Sequence, residues 1–252
     1  MLTVRQLLPE PADIDPAAAH AAAQRPAPPS RPWVLINMVA SVDGATALDG
    51  VSGGLGSPAD KAVFSAIRAV ADTILVAAGT ARAESYGPPK TSAERRAERV
   101  NRGQSPYPRL ALVSRSLDLD PAATMFSEAP ERPLVFTVSN APAPRRAALT
   151  EVAEVVNMDG LDGGVDLAKM MAYLQDLGAH TVLAEGGPGL NGQLVAAGLV
   201  DELDLSLSPM LVGGDSARLA HGGRAKAEPL TLAHLWEADG LLFARYVRSD
   251  LT

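Results

Sequence analysis

The 252-residue chain contains no cysteine. That excludes a disulfide scaffold, a thiolate metal centre and a cysteine nucleophile, and it fits a reducing compartment. Long apolar runs are missing too: no stretch approaches the roughly 18 residues needed to cross a bilayer, and the N-terminus lacks a charged region followed by an apolar core. Lysine is scarce. Only Lys61, Lys90, Lys169 and Lys226 stand among 22 basic residues, so most positive charge is guanidinium, a group suited to two-point contacts with phosphate or carboxylate. The net charge of −7 argues against a surface built to neutralise nucleic-acid phosphates or an anionic membrane. The expectation is a cytoplasmic globular protein. His20, His180, His221 and His234 show no metal-ligand spacing, so no metal is expected, and neither G-x-x-x-x-G-K-[ST] nor G-x-S-x-G occurs.

What is present divides the chain at Trp33. Residues 9–32 hold seven prolines and no large apolar side chain except Ile14, which predicts an extended or mobile arm over residues 1–32. From Trp33 to the C-terminus no Pro/Gly/Ser linker interrupts the pattern, and a single domain over 33–252 is expected. Strand-like runs at 33–40, 73–78, 109–113, 133–138, 151–156 and 180–185 alternate with helical patterns at 58–71, 166–178 and 189–197. In the first helix, Ser57 reads as the cap, Pro58 as the first residue, and Ala62, Phe64, Ile67 and Val70 as the apolar stripe. After residue 200, polar and apolar residues alternate at 201–210, 230–236 and 241–247, as expected for antiparallel strands with one solvated face. The fold class is therefore α/β, with a mostly parallel central sheet flanked by helices and antiparallel C-terminal strands.

Four places could carry chemistry. Strand 180–185 runs into Glu185-Gly186-Gly187-Pro188-Gly189 and a short helix, and Gly187, Gly189 and Gly192 satisfy G-x-G-x-x-G. Glycines at a helix N-terminus let backbone N–H groups approach a phosphate, although the same letters also serve a tight turn without ligand. At least five strands precede this loop, which argues against the first-strand position of a dinucleotide-binding Rossmann fold. The second place is Ser41-Val42-Asp43-Gly44, which ends the first core strand, where an α/β sheet opens its ligand crevice. The third is Gly79-Thr80-Ala81-Arg82-Ala83-Glu84, which follows strand 73–78 and leads into a long Pro- and Arg-rich loop expected to be a lid or disordered. The fourth is Ser114-Arg115, a hydroxyl and a guanidinium able to grip a 2′-phosphate.

Three stretches in one order, MVASVDGATA (38–47), SPADKAVFSAIRAVADTILVAAGTARAE (57–84) and EGGPGLNGQLVAAGLVDELDLSLSPMLVGG (185–214), give the chain a family likeness. It resembles the reductase domain of bacterial riboflavin biosynthesis, the RibD C-terminal or pyrimidine reductase family, related in fold to dihydrofolate reductase. The resemblance implies NADPH-dependent reduction of 5-amino-6-(5-phosphoribosylamino)uracil or its 2,5-diamino analogue, with hydride reaching C1′ of the opened ribose. It implies cofactor contacts at Ala40, Thr80, Ser114, Arg115, Gly186, Gly187, Pro188, Gly189 and Leu190. Substrate contacts are implied at Ser52, Arg68 and Glu185, with Arg68 toward the phosphate. Glu84 and Asp43 are the catalytic candidates, and a homodimer is carried over from the family. The chain departs from the family pattern at Asn37, where Lys is usual, at Gly54, where Trp is usual, and across Ser85–Pro89. A dihydrofolate or pterin reductase, and an NADPH-binding protein without catalysis, stand as the alternatives.

Overall fold

The computed structural model describes residues 4–249; positions 1–3 and 250–252, the outer ends of the two expected segments, lie outside them. In chain order the elements are β1 (Val4–Leu8), β2 (Ala12–Ile14), α1 (Pro16–Ala22), β3 (Trp33–Ser41), α2 (Pro58–Val70), β4 (Thr73–Ala77), α3 (Ala78–Ala83), α4 (Ala93–Asn101) and β5 (Arg109–Val113). They continue with α5 (Thr124–Ser127), β6 (Leu134–Thr137), α6 (Ala143–Val152), β7 (Glu154–Asn157), α7 (Leu167–Asp176), β8 (Thr181–Ala184), α8 (Pro188–Ala196), β9 (Glu202–Ser208), β10 (Leu230–Ala238) and β11 (Leu241–Arg248). The described residues form two compact units, one drawn from 4–26, 33–70 and 183–249, the other from 27–32 and 71–182.

In the first unit the strands run β2-β1-β10-β11-β9-β3, antiparallel throughout except for the parallel pair β3–β9. That pair aligns Asn37 with Asp204 and Ser41 with Ser208. In the second unit β4, β5, β6 and β7 are parallel neighbours in that order, with Ala77 beside Val113 and Val113 beside Phe136. The residues following β4 and β5 therefore emerge at one carboxyl edge. The mixed α/β class, with parallel strands, antiparallel C-terminal strands and flanking helices, is as the sequence implies.

Several expectations need correction. Regular structure begins at Val4, not Trp33: β1 pairs with β10, and α1 packs on α2 with Asp15 capping its first turn. Proline ended the apolar patterning there without preventing short elements, because Pro16 sits in the first turn, where its missing N–H costs nothing. The expected lid after Glu84 contains α4, capped by Ser92, and its Arg99 is fully buried, donating to the carbonyls of Ser105 and Ala71 at 2.9 and 2.6 Å. Residues 151–156 are not one strand, since α6 runs to Val152 before β7 begins at Glu154.

The α2 stripe is shifted as well. Val63, Ala66, Ile67 and Val70 face the core, whereas Ala62 and Phe64 are half-buried. In β9 the reading inverts: Glu202, Asp204, Ser206 and Ser208 are the buried face, and Leu203, Leu205 and Leu207 are only half-buried. A period of two identifies the two faces of a strand but not which one meets water. Among the described residues, no helix is long and apolar enough to cross a membrane.

Candidate functional site

The carboxyl end of β3 delivers Ala40 and Ser41 into a turn whose Gly44 has φ of 91°, a left-handed conformation that suits glycine. Ser41 Oγ donates to Asp43 Oδ1 at 2.5 Å and accepts from the Ala45 backbone N–H at 2.9 Å. The backbone N–H groups of Val212 and Gly213 donate to the Asp43 carboxylate, the latter at 2.7 Å. The Ser41 hydroxyl, together with those amides, holds the Asp43 carboxyl down at about 2. Asp43 is thus an anion that fastens the β3 turn to the loop after β9. Ser216 and Ala217 extend the fastening, accepting from Thr46 and Ala47.

Helix α2 presents Arg68 from its last turn. The guanidinium meets the Glu185 carboxylate at two points, Nε to Oε1 at 2.7 Å and Nη2 to Oε2 at 2.6 Å, and stacks over the Phe64 ring at 4.3 Å. Glu185 is buried where β8 ends. The chain then turns through Gly186, φ 85°, and a cis Gly186–Gly187 peptide into α8, whose N-cap Gly187 supplies no side-chain hydrogen bond. The first-turn N–H groups of α8 thus have no side-chain cap from Gly187. Gly189 has open space at the Cβ position. Gly192 belongs elsewhere: a Cβ there would meet the backbone oxygens of His221 and Gly222, the second at 2.7 Å, so its hydrogen serves packing rather than phosphate approach. Ser52 is half-buried in the turn that follows the Leu48–Val51 bridge. At Gly54 the Leu48 side chain lies 3.1 Å from where a Cβ would stand.

In the second unit, Thr80 lies within α3, directly after β4, and Glu84 caps that helix at its C-terminus. Ser85 adopts φ of 48°, turning the chain sharply after the carboxylate. Ser114 is buried at the end of β5, its N–H bonded to the Phe136 carbonyl at 2.9 Å, and Arg115 beside it is exposed. Arg82 is engaged with Asp118, Nη1 lying 2.5 Å from its carbonyl and 3.4 Å from its carboxylate. Arg115 has no such partner among the described residues.

One cluster escaped the sequence reading. Glu202, fully buried, accepts from Arg25 at 2.8 and 2.9 Å, from Trp33 Nε1 at 2.8 Å and from Arg245 at 2.7 and 3.1 Å. Burial works to raise its carboxyl, but the two guanidiniums prevail and hold it below the usual range. Asp204 beside it is pushed well up by burial and by the Glu202 charge. Polar residues two apart in β9 were the available signal, and they read equally well as a solvated face.

The family model of the RibD C-terminal domain matches residues 32–241. The chain belongs to the RibD C-terminal domain family. It is 30% identical over 189 residues to the 2,5-diamino-6-ribosylamino-4(3H)-pyrimidinone 5′-phosphate reductase of Methanothermobacter thermautotrophicus, covering 75% of this chain and 82% of that one. To the protein of the same name from Archaeoglobus fulgidus it is 28% identical over 194 residues, covering 76% and 87% of the two chains. A crystal structure of a pyrimidine reductase-like protein from Corynebacterium diphtheriae superposes with a TM-score of 0.82 at 27% identity, over 93% of this chain and 99% of that one. Membership in the RibD C-terminal domain family makes a nicotinamide cofactor the expected hydride source.

Proposed function

We propose that the chain is an NADPH-dependent reductase of 2,5-diamino-6-ribosylamino-4(3H)-pyrimidinone 5′-phosphate or its close 5-amino-uracil analogue, acting in riboflavin biosynthesis. The observation that carries the reading is the Arg68–Glu185 pair set immediately before the uncapped N-terminus of α8. Polar recognition and an anion-binding backbone there occupy consecutive residues. The relatives named for this activity, at 28–30% identity over three quarters of the chain, support the same reading.

The residues present fit the cofactor. Gly186, Gly187, Gly189 and Leu190 offer backbone N–H groups with no obstructing side-chain cap, and Pro188, which has no N–H, sets the first turn of α8. Arg115, exposed just beyond β5 and without a side-chain partner among the described residues, is suited to the 2′-phosphate that distinguishes NADPH from NADH. Ala40, Thr80 and Ser114 are assigned to the cofactor on the family resemblance, each lying at or just beyond the carboxyl end of its own strand. When bound, the nicotinamide supplies the hydride; the protein supplies orientation and charge.

Substrate recognition falls to Ser52, Arg68 and Glu185. Of the two carboxylates, Glu84 is assigned to proton supply at the substrate nitrogen. Asp43, held as an anion by the Ser41 hydroxyl and the Val212 and Gly213 amides, serves by fixing the turn that follows Ala40. Turnover assays with the pyrimidinone phosphate and with dihydrofolate test the reading: NADPH oxidation driven by the first supports it, and oxidation driven only by dihydrofolate overturns it.

A homodimer in the cytoplasm is part of the proposal. Leu203, Leu205 and Leu207 of β9, with Tyr246 and Leu242 opposite Leu203 and Leu207 on β11 and Leu232 of β10 opposite Tyr246, leave an apolar sheet face half-open, as a subunit contact requires. Leu205→Glu is expected to halve the mass seen by sedimentation; an unchanged mass refutes the dimer face.

A further inference from the structure

We propose that His20, Asp204 and His234 form a binding site for one divalent transition-metal ion of the zinc, cobalt and nickel class, tying the N-terminal segment to the sheet. The three residues come from α1, β9 and β10, and one donor atom from each lies within 4.8 Å of the other two. They line a small pocket together with Asn37, the register partner of Asp204 on β3. His20 and Asp204 are almost completely buried, and among the described residues His20 Nε2 and Asp204 Oδ2 have no hydrogen-bond partner. Buried polar atoms without a partner are costly and rare, and two of them facing one cavity mark a place for an occupant that satisfies both.

The donor set selects the occupant. Two imidazoles and one carboxylate match borderline transition ions, whereas magnesium and calcium favour oxygen ligands throughout. Burial keeps both imidazoles neutral, the form that binds metal, pushing each down to about 3. His234 is held in plane by stacking on Trp236, 3.7 Å between centroids and 7° between planes.

The charges around the cavity are Arg25, Arg245 and Glu202. Arg25 Nη2 donates to His20 Nδ1 across 3.3 Å and also reaches Glu202 at 2.8 Å, while its Nη1 reaches the His20 carbonyl at 2.8 Å. With an ion on Nε2, the ring proton moves to Nδ1, and Arg25 keeps its bonds to Glu202 and to the carbonyl. The Asp204 carboxyl, pushed up by burial and by the Glu202 charge, releases its proton to the ion on binding, and even then two guanidiniums against two carboxylates leave no net negative charge to attract a cation. Affinity therefore rests on nitrogen–metal bonds, which again favours the transition ions.

The full-length protein, stripped with a chelator and titrated with Co²⁺, is expected to take up one ion per chain with visible ligand-field bands, and Zn²⁺ is expected to displace it. Zn²⁺ should also raise the melting temperature, since binding to the folded state alone stabilises it. His234→Gln, at the half-buried edge of the cluster, and Asp204→Asn should each weaken Co²⁺ binding at least tenfold while retaining the native circular dichroism spectrum. No stoichiometric uptake by the unmodified protein overturns the proposal, and so does uptake unchanged in both variants. If one variant fails to fold, the other decides.

Discussion

The Arg68 guanidinium and the Glu185 carboxylate face each other as a fork on a fork, 2.7 and 2.6 Å apart, at the end of α2 and the end of β8. Arg68 keeps about a quarter of its side chain exposed while Glu185 is nearly closed off, so the pair presents its cationic half outward. Glu185→Gln should remove one charge-assisted contact and loosen the guanidinium, costing on the order of 2 kcal/mol in kcat/KM for the pyrimidinone phosphate, mostly through KM. The KM for NADPH should stay within about twofold. Steady-state kinetics with each reactant varied separately checks this; equal losses for both would move Arg68 and Glu185 out of substrate recognition.

Cofactor choice should lie with Arg115 rather than Arg82. Arg82 already bonds Asp118 by backbone and side chain, whereas Arg115 is exposed beside the buried Ser114. Loss of one or two charged hydrogen bonds corresponds to about 10- to 100-fold weaker NADPH binding in Arg115→Ala, with NADH binding nearly unchanged. Arg82→Ala should leave the NADPH to NADH ratio where it is. Fluorescence titration with both cofactors measures the two ratios.

Two glycines of the same motif should behave in opposite ways. A side chain at Gly189 meets no protein atom within 4 Å, so Gly189→Val should fold normally and lose cofactor binding, its branched Cβ standing where a phosphate approaches the first turn of α8. Gly192→Ala drives a methyl into the backbone of His221 and Gly222, and overpacking of that kind costs about 1–3 kcal/mol of stability. Urea denaturation and NADPH titration of the two variants separate packing from binding.

How much of this was legible in the sequence follows from the physics of each element. The strands at 33–41, 73–77 and 109–113 announced themselves by mostly apolar runs, and the loop at 185–190 by its glycines. Residues 4–22 did not, because β1, β2 and α1 are too short to show a period amid the prolines, and what holds them lies far along the chain: β10 beside β1, and His234 of β10 beside the His20 ring. Arg99 read as a surface charge because nothing local shows that the carbonyls of Ala71 and Ser105 await it. Asp43 was legible as a site residue, but its role as a fastener depends on the amides of Val212 and Gly213, about 170 positions on.

That fastener should be sensitive to acid. The Asp43 carboxyl is lowered from 3.8 to about 2, first by the Ser41 hydroxyl and then by the amides of Gly213 and Val212. A carboxyl whose folded value is depressed stabilises the folded form above its ordinary value and loses that contribution as pH falls through the folded one. Protection of the Val212 and Gly213 amides against hydrogen exchange should therefore be full above about pH 4 and decline toward about pH 2. In Asp43→Asn the same amides should be weakly protected at every pH. A flat profile in the unmodified protein would show that the carboxylate does not hold the loop.

The central claim is hydride delivery to the opened ribose of a pyrimidinone phosphate, and isotope transfer tests it most directly. The enzyme is incubated with 2,5-diamino-6-ribosylamino-4(3H)-pyrimidinone 5′-phosphate and NADPH carrying deuterium at nicotinamide C4, and the product is examined by mass spectrometry and NMR. The account predicts a ribitylamino product one mass unit heavier, with deuterium at C1′ and NADPH consumed in equal amount. Recovery of unreduced substrate, or deuterium delivered to added dihydrofolate alone, would contradict it.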